Sequence, residues 1–164
     1  MLFRSTSNLQ GFCDGAYKVA MAADVAGLSL FAGLRAEAIP EDLPARTLHL
    51  MALLREMRGS MHLIALISEG VVPRYAHYAK RPDEYALFGW DEKNPPVITE
   101  EIRAAIARVE DRTDDLCCGP YGVLNTAVAG RILPSEAKSW CPIAMAPDLM
   151  PSTISPTPPN WELG

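Results

Sequence analysis

The sequence is poor in aromatic residues, poor in basic residues and free of long apolar runs. Aromatic side chains make up 7% of the 164 residues, so aliphatic side chains must fill most of the core, which favours helices over sheets. The 15 basic residues against 20 acidic ones leave a net charge of −5, whereas a generic DNA-binding protein presents a basic surface. No apolar stretch reaches the ~18 residues of a membrane span, and no signal peptide is evident. We therefore expect a cytoplasmic protein without a membrane partner and do not expect nucleic acid as a partner.

Metal and redox motifs are also missing. The four cysteines include the vicinal Cys117 and Cys118 but form no C-x-x-C pair, so we expect free, buried thiols. His49 and His62 lie roughly 140° apart around one predicted helix and cannot share an ion. The sequence contains no H-E-x-x-H, P-loop, G-x-G-x-x-G or G-x-S-x-G motif. We predict neither a metal nor a cofactor, and no residue is identified as catalytic.

The spacing of apolar residues predicts a series of helices. The most regular one runs from Leu43 to Ser68, where Asp42 can cap the first turn, Pro44 fits inside it and Gly70 ends the helix. Further helices are predicted over residues 11–30, 72–80, from 99 to a break at Gly119-Pro120, and 121–133. The predicted fold class is all-α, an orthogonal or bundle-like helical domain over residues 1–141.

Residues 142–164 differ in composition from the rest of the chain. Proline recurs from Pro142 to Pro159 with serine and threonine between, which is typical of an extended, polyproline-like segment. We predict an irregular, Pro-rich C-terminal tail that is extended or disordered, with docking on its own domain or on a second subunit as the alternative.

The helix over 43–68 carries two apolar faces in projection. One groups Leu50, Leu53, Leu54, Met57, Met61 and Ile64 as a core stripe. The other groups Leu48, Met51 and Leu66, nearly opposite, which predicts a helix buried on two sides. Arg55, Arg58 and His62 share this second face at spacings of three and four residues. A guanidinium on a buried face needs an anionic or carbonyl partner.

Two interpretations of these basic residues stay open. In the first, Arg55 and Arg58 tie the helix to the acidic residues of segment 110–115. In the second, Arg55, Arg58 and His62 form the floor of a pocket for a small anionic or oxygenated molecule, and Tyr78, or alternatively Tyr75, donates a hydrogen bond into it.

The run Leu54 to His62, LREMRGSMH, resembles a signature of an uncharacterised actinobacterial family of helical proteins, sometimes labelled winged-helix or MarR-like. Weaker likeness extends the resemblance over residues 31–133. Members of that family are usually longer, with an additional N-terminal helical half. The resemblance therefore implies a shortened relative or a C-terminal half, whose apolar surface a second copy would cover in a homodimer.

The winged-helix label predicts a basic recognition helix followed by a hairpin. Arg103, Arg108 and Arg112 share one predicted helix, but acidic residues surround them and no hairpin follows.

The leading functional hypothesis is a sensor or accessory factor that binds a small molecule through Arg55, Arg58, His62 and Tyr78. One alternative is an enzyme of specialised metabolism in which His62 acts as acid–base. Others are an acidic, winged-helix-like transcriptional regulator and a purely structural subunit.

Overall fold

The computed structural model describes residues 6–124, which form five α-helices and one 3-10 helix without a strand among them. The α-helices are α1 (Thr6–Ala22), α2 (Ser29–Arg35), α3 (Leu43–Ser68), α4 (Pro73–Lys80) and α5 (Glu100–Tyr121), with the 3-10 helix at Pro82–Phe88 between the last two. The all-α fold class is confirmed. The predicted Pro-rich tail and nearly all of the helix predicted over 121–133 lie outside the described residues.

The first helical segment of the sequence is divided in two. A single helix was predicted over residues 11–30, but α1 ends at Ala22 and α2 begins at Ser29. Between them Asp24 accepts a hydrogen bond from the Ala26 N–H at 2.9 Å, and Gly27 takes a positive φ of 76°. Both features close a turn and interrupt helical hydrogen bonding.

The long helix α3 has the predicted bounds. The Asp42 carboxylate accepts a hydrogen bond from the Ala45 N–H at 3.0 Å and so caps the first turn. Proline in that turn lacks only an N–H that would have no partner inside the helix. The caps at its start and end explain why the sequence pattern located both ends of this helix correctly.

Two groups of buried side chains hold the helices together. The larger lies where α3 meets α1, α2 and the end of α5, and includes Phe31, Leu50, Leu53, Met57 and Cys117. The smaller joins the end of α3 to α4 and α5 through Ala65, Leu66, Val71, Ala76 and Val109. A fully buried Leu, Phe or Met contributes roughly 1.5–3 kcal/mol relative to an exposed one. In the second group α4 takes part through the small side chain of Ala76.

The prediction that α3 is buried on two sides is wrong for its first half. Leu48 and Met51 are 68% and 46% exposed, while Leu66 on the same predicted face is buried. The helices α1, α2 and α5 cover the other face, and α4 packs only near the end of α3.

The homodimer predicted from the family resemblance stays a prediction.

The end of α5 differs from expectation in two ways. The helix continues through Gly119-Pro120, which was predicted to break it, and ends one residue later at Tyr121. Cys13 and Cys117 are buried free thiols, as expected, but Cys118 is disulfide-bonded, so the expectation of a free thiol there is wrong. Burial raises the pKa of Cys117 to about 11, which keeps this thiol protonated.

None of the helices within residues 6–124 has the length and apolar character needed to cross a membrane.

Candidate functional site

A four-residue turn joins α3 to α4. The Gly70 N–H donates to the Ile67 carbonyl at 3.1 Å, and the Val71 N–H donates to the Leu66 carbonyl at 2.9 Å, which is a Schellman arrangement. Gly70 has a φ of 67°, in the left-handed region that favours a residue without Cβ. Pro73 then opens α4. Two helices joined by a short turn that contains glycine have the connection of a helix-turn-helix unit.

The second helix of this unit, α4, has a buried anchor and exposed basic residues. Ala76 is buried against α3 and α5. Lys80 pairs with Glu110 of α5. Arg74, by contrast, is exposed and lies over the Tyr75 ring at 5.4 Å, and within the described part of the chain it has no carboxylate partner. The second residue of α4 is therefore a cation that remains available to a partner from outside.

Aromatic rings brace the segment that follows α4. The ring of Tyr85 lies 5.0 Å from that of Tyr78 and 5.0 Å from that of Trp90. Phe88 stacks on Trp90 at 4.9 Å, and the edge of His77 contacts Phe88 at 4.5 Å. These contacts hold the 3-10 helix and Trp90 beside α4, since each ring packs on at least one other.

An open cleft of about 290 Å³ lies beside this aromatic group, between α3, α4 and α5. Its apolar lining includes Leu66, Pro73, Ile106 and Trp90, and its polar lining includes His62, His77, Lys80 and Glu110. Small-molecule sites typically span ~300–1,000 Å³, so the cleft lies near the lower end of that range.

His62 on α3 is held in one tautomer by α5. The Thr113 hydroxyl donates to the Val109 carbonyl at 2.6 Å, so it accepts at 3.0 Å from the His62 Nδ1–H. The other ring nitrogen, Nε2, then has no proton and can accept a hydrogen bond. Burial lowers the pKa of His62, with the Glu110 carboxylate opposing and Arg58 adding to the effect, so the ring is neutral near neutral pH.

A single carboxylate, Glu110, links three helices at the edge of the cleft. It accepts from Lys80 of α4 and, at 3.2 Å, from Arg58 of α3. Arg58 also reaches Asp114 at 3.5 Å. Burial raises the pKa of Glu110, but Lys80 and Arg58 lower it by more, so the group stays ionised.

The predicted site residues are only partly brought together. His62 lines the cleft, and Arg58 pairs with the acidic segment of α5, as one interpretation held. The expectation that Arg55 lies on a buried face is wrong: its side chain is 81% exposed and pairs with the adjacent Glu56. Tyr78 packs on Tyr85. The ligand-binding role of these four residues stays a prediction.

Sequence reasoning did not identify Trp90 and Thr113 as site residues. Trp90 lies in a loop that carried no periodic signal, and Thr113 falls in the polar gap of the α5 pattern. The sequence did carry one signal for Thr113: a threonine inside a helix can donate its hydroxyl to the carbonyl four residues earlier, here that of Val109. Its partner His62 could not be inferred from one chain without the packing of α3 on α5.

A family model described as a helix-turn-helix family matches residues 3–93, a stretch that contains α1 to α4 and the 3-10 helix. The chain belongs to this helix-turn-helix family. No curated protein matches the chain, and no solved structure does. Within the matched residues of this helix-turn-helix protein, the turn at Gly70 is the connection that has the length and the glycine of such a unit.

Family membership overturns one expectation drawn from composition. Nucleic acid was not expected as a partner because the net charge is −5, and for a helix-turn-helix protein that expectation is wrong. Net charge sums over the whole chain, including the acidic residues of α5 outside the match, whereas a helix that reads DNA depends on the few side chains it presents.

Proposed function

We propose that this helix-turn-helix protein is a DNA-binding regulator in which α4 is the recognition helix. The observation that carries the proposal is the α3–turn–α4 unit, whose second helix presents an exposed Arg74 at its second position, without a carboxylate partner among residues 6–124. In such units the second helix lies in the major groove and its N-terminal residues contact base edges. An arginine at the second position of α4 suits that contact, because its guanidinium can pair bidentately with guanine.

The acidic composition is compatible with this function if few phosphates are contacted. The other basic groups near α4 are paired, Lys80 with Glu110, Arg81 with Glu84 and Arg108 with Glu69. We therefore propose binding with a shallow salt dependence and a large share of direct base contacts. Residues 6–124 contain no strand, so a wing and the other MarR-like details stay predictions.

We also propose a cytoplasmic location, since a DNA-binding regulator must be in the same compartment as DNA.

The test is DNA binding by the full chain, with duplexes selected from a randomised pool and affinity measured by fluorescence anisotropy over a salt series. Arg74→Ala should weaken binding and, for a phosphate contact, reduce the salt slope by about 1, or, for a base contact, relax specificity at one position. Arg55→Ala is the matched control, because Arg55 is also an exposed helical arginine.

The control variant should bind as the wild type does. Equal losses in both variants would point to a general charge effect and contradict a recognition role for α4. Failure to select any sequence would contradict DNA binding itself.

We also propose a small-molecule function, because the cleft with His62 adjoins the helix assigned to DNA. A ligand that occupies it should raise the melting temperature of the protein in proportion to the logarithm of its concentration, without turnover. Turnover that is lost in a folded His62→Ala variant would instead support the enzymatic alternative.

A further inference from the structure

The charges around the cleft leave little to attract an anion. Lys80 forms an ion pair with Glu110, and Arg81 donates to Glu84 at 2.6 Å. A carboxylate or phosphate placed in the cleft would have to displace one of these acidic partners or lie beside Glu110. A neutral molecule requires neither change.

Two imidazoles in the cleft each have one nitrogen without a hydrogen-bond partner among residues 6–124. His62 Nε2 is an acceptor, because Thr113 fixes the proton on Nδ1. His77 Nε2 is shielded from solvent and has no hydrogen-bond partner among the described residues, with the nearest Glu84 oxygen 4.0 Å away. Of the two nitrogens, His62 Nε2 is the one whose lack of a proton follows from hydrogen bonds in the structure, so it is the acceptor assigned to a bound donor.

The remaining walls favour a flat ring. Trp90 is held by its stacking on Phe88 and its contact with Tyr85, so it presents a preorganised surface. Leu66 and Ile106 add aliphatic walls. The cavity of about 290 Å³ suits one or two fused rings more than a larger ligand.

We propose that the cleft binds a neutral, planar aromatic molecule that donates a hydroxyl or N–H hydrogen bond to Nε2 of His62 while its ring packs against Trp90. This inference rests on the small-molecule function proposed above and does not depend on DNA binding. It narrows the anionic or oxygenated ligand expected from the sequence to a neutral one, because Arg55 lies outside the cleft and Arg58 is paired with Glu110.

The test uses three probes on the full chain near neutral pH: a naphthol, its methyl ether and the corresponding naphthoate. Calorimetry should show one-to-one binding of the naphthol, about tenfold tighter than the ether, which has the same ring but no donor. The naphthoate should bind no better than the ether. In the wild type, the naphthol should also shift the Nε2 nitrogen resonance of His62.

The variant His62→Phe should bind naphthol and ether equally. The matched control is His49→Phe, the same change on the same helix about 20 Å away along its axis, and it should keep the preference for naphthol. Circular dichroism shows whether both variants fold, and the resonance shift tests the proposal without any variant.

Equal affinity for naphthol and ether in the wild type would overturn the proposed hydrogen bond. Tighter binding of the naphthoate would overturn the choice of a neutral ligand. A preference that survives in His62→Phe would assign the donor to another acceptor and also overturn the proposal. Each of these three results would overturn the present inference without contradicting the proposed small-molecule function. Failure of all three probes to bind would overturn the inference and count against the small-molecule function as well.

Discussion

Replacing Gly70 by alanine tests the turn on which the helix-turn-helix assignment depends. Gly70 has a φ of 67°, and a Cβ built there meets no atom within 4 Å. The substitution therefore introduces no clash, and its effect on stability comes from the backbone conformation alone. An L-residue in the left-handed region destabilises the folded state by roughly 1–2 kcal/mol. In the opposite direction, alanine has less conformational freedom than glycine in the unfolded chain, which stabilises the folded state by about 0.4–1 kcal/mol. We expect Gly70→Ala to lower the free energy of unfolding by about 1 kcal/mol.

The same substitution at Gly59 provides a control of opposite sign. Gly59 lies inside α3, and its Cβ position is also empty to 4 Å. Alanine in a helix interior is more stable than glycine by roughly 0.5–1 kcal/mol, so Gly59→Ala should stabilise the protein. Each kcal/mol corresponds to about 2–4 °C in melting temperature for a chain of this size.

Urea denaturation followed by circular dichroism measures both variants. If Gly70→Ala proved neutral or stabilising, like Gly59→Ala, the left-handed turn would be contradicted. Asparagine tolerates this region better than alanine, so Gly70→Asn should cost less than Gly70→Ala.

Two further predictions concern the cap of α3 and the buried histidine. Asp42→Ala should lower the free energy of unfolding by about 1 kcal/mol through loss of the bond to the Ala45 N–H, measured by urea denaturation, and Asp42→Asn should retain most of it. Burial lowers the pKa of His62 below the ordinary 6.5, so the unfolded chain binds a proton there that the folded chain does not. Acidification below about that value should therefore destabilise the wild type, and His62→Gln should flatten this dependence; equal slopes in the two proteins would contradict the burial of a neutral ring.

The helices could be predicted where local signals mark their ends. Asp42 and Thr99 cap α3 and α5 as expected, and Pro73 and Gly70 mark the start of α4 and the end of α3. The single helix expected over residues 11–30 was wrong because its break depends on an aspartate turn and one glycine, which periodicity does not register. Pro120 did not end α5 before Gly119 as predicted: the helix continues one residue past the proline to Tyr121, although Pro120 removes one hydrogen bond from the last turn.

The candidate site was predictable only in part. The wheel projection put Arg55, Arg58 and His62 on one face, and only His62 lines the cleft. A projection gives the angles of side chains around a helix, but which angle is buried depends on where the neighbouring helices pack. Of the two interpretations left open for Arg58, the structure shows the pairing with acidic residues of α5, Glu110 and Asp114. Nucleic acid was not expected as a partner because the net charge is negative, but a net charge summed over the chain does not show whether one helix presents an exposed arginine.

The carboxylate of Glu110 has a consequence for α4, the proposed recognition helix. It is the one group in residues 6–124 that receives charged donors from both α3 and α4, through Arg58 and Lys80. Removal of its negative charge, by strong acid or by a Glu110→Gln substitution, weakens the ion pairs that Lys80 and Arg58 make with α5, while the buried contact of Ala76 and the packing of α3 on α5 remain. The contacts of the helix proposed for the major groove thus depend in part on a residue of α5 that lines the cleft.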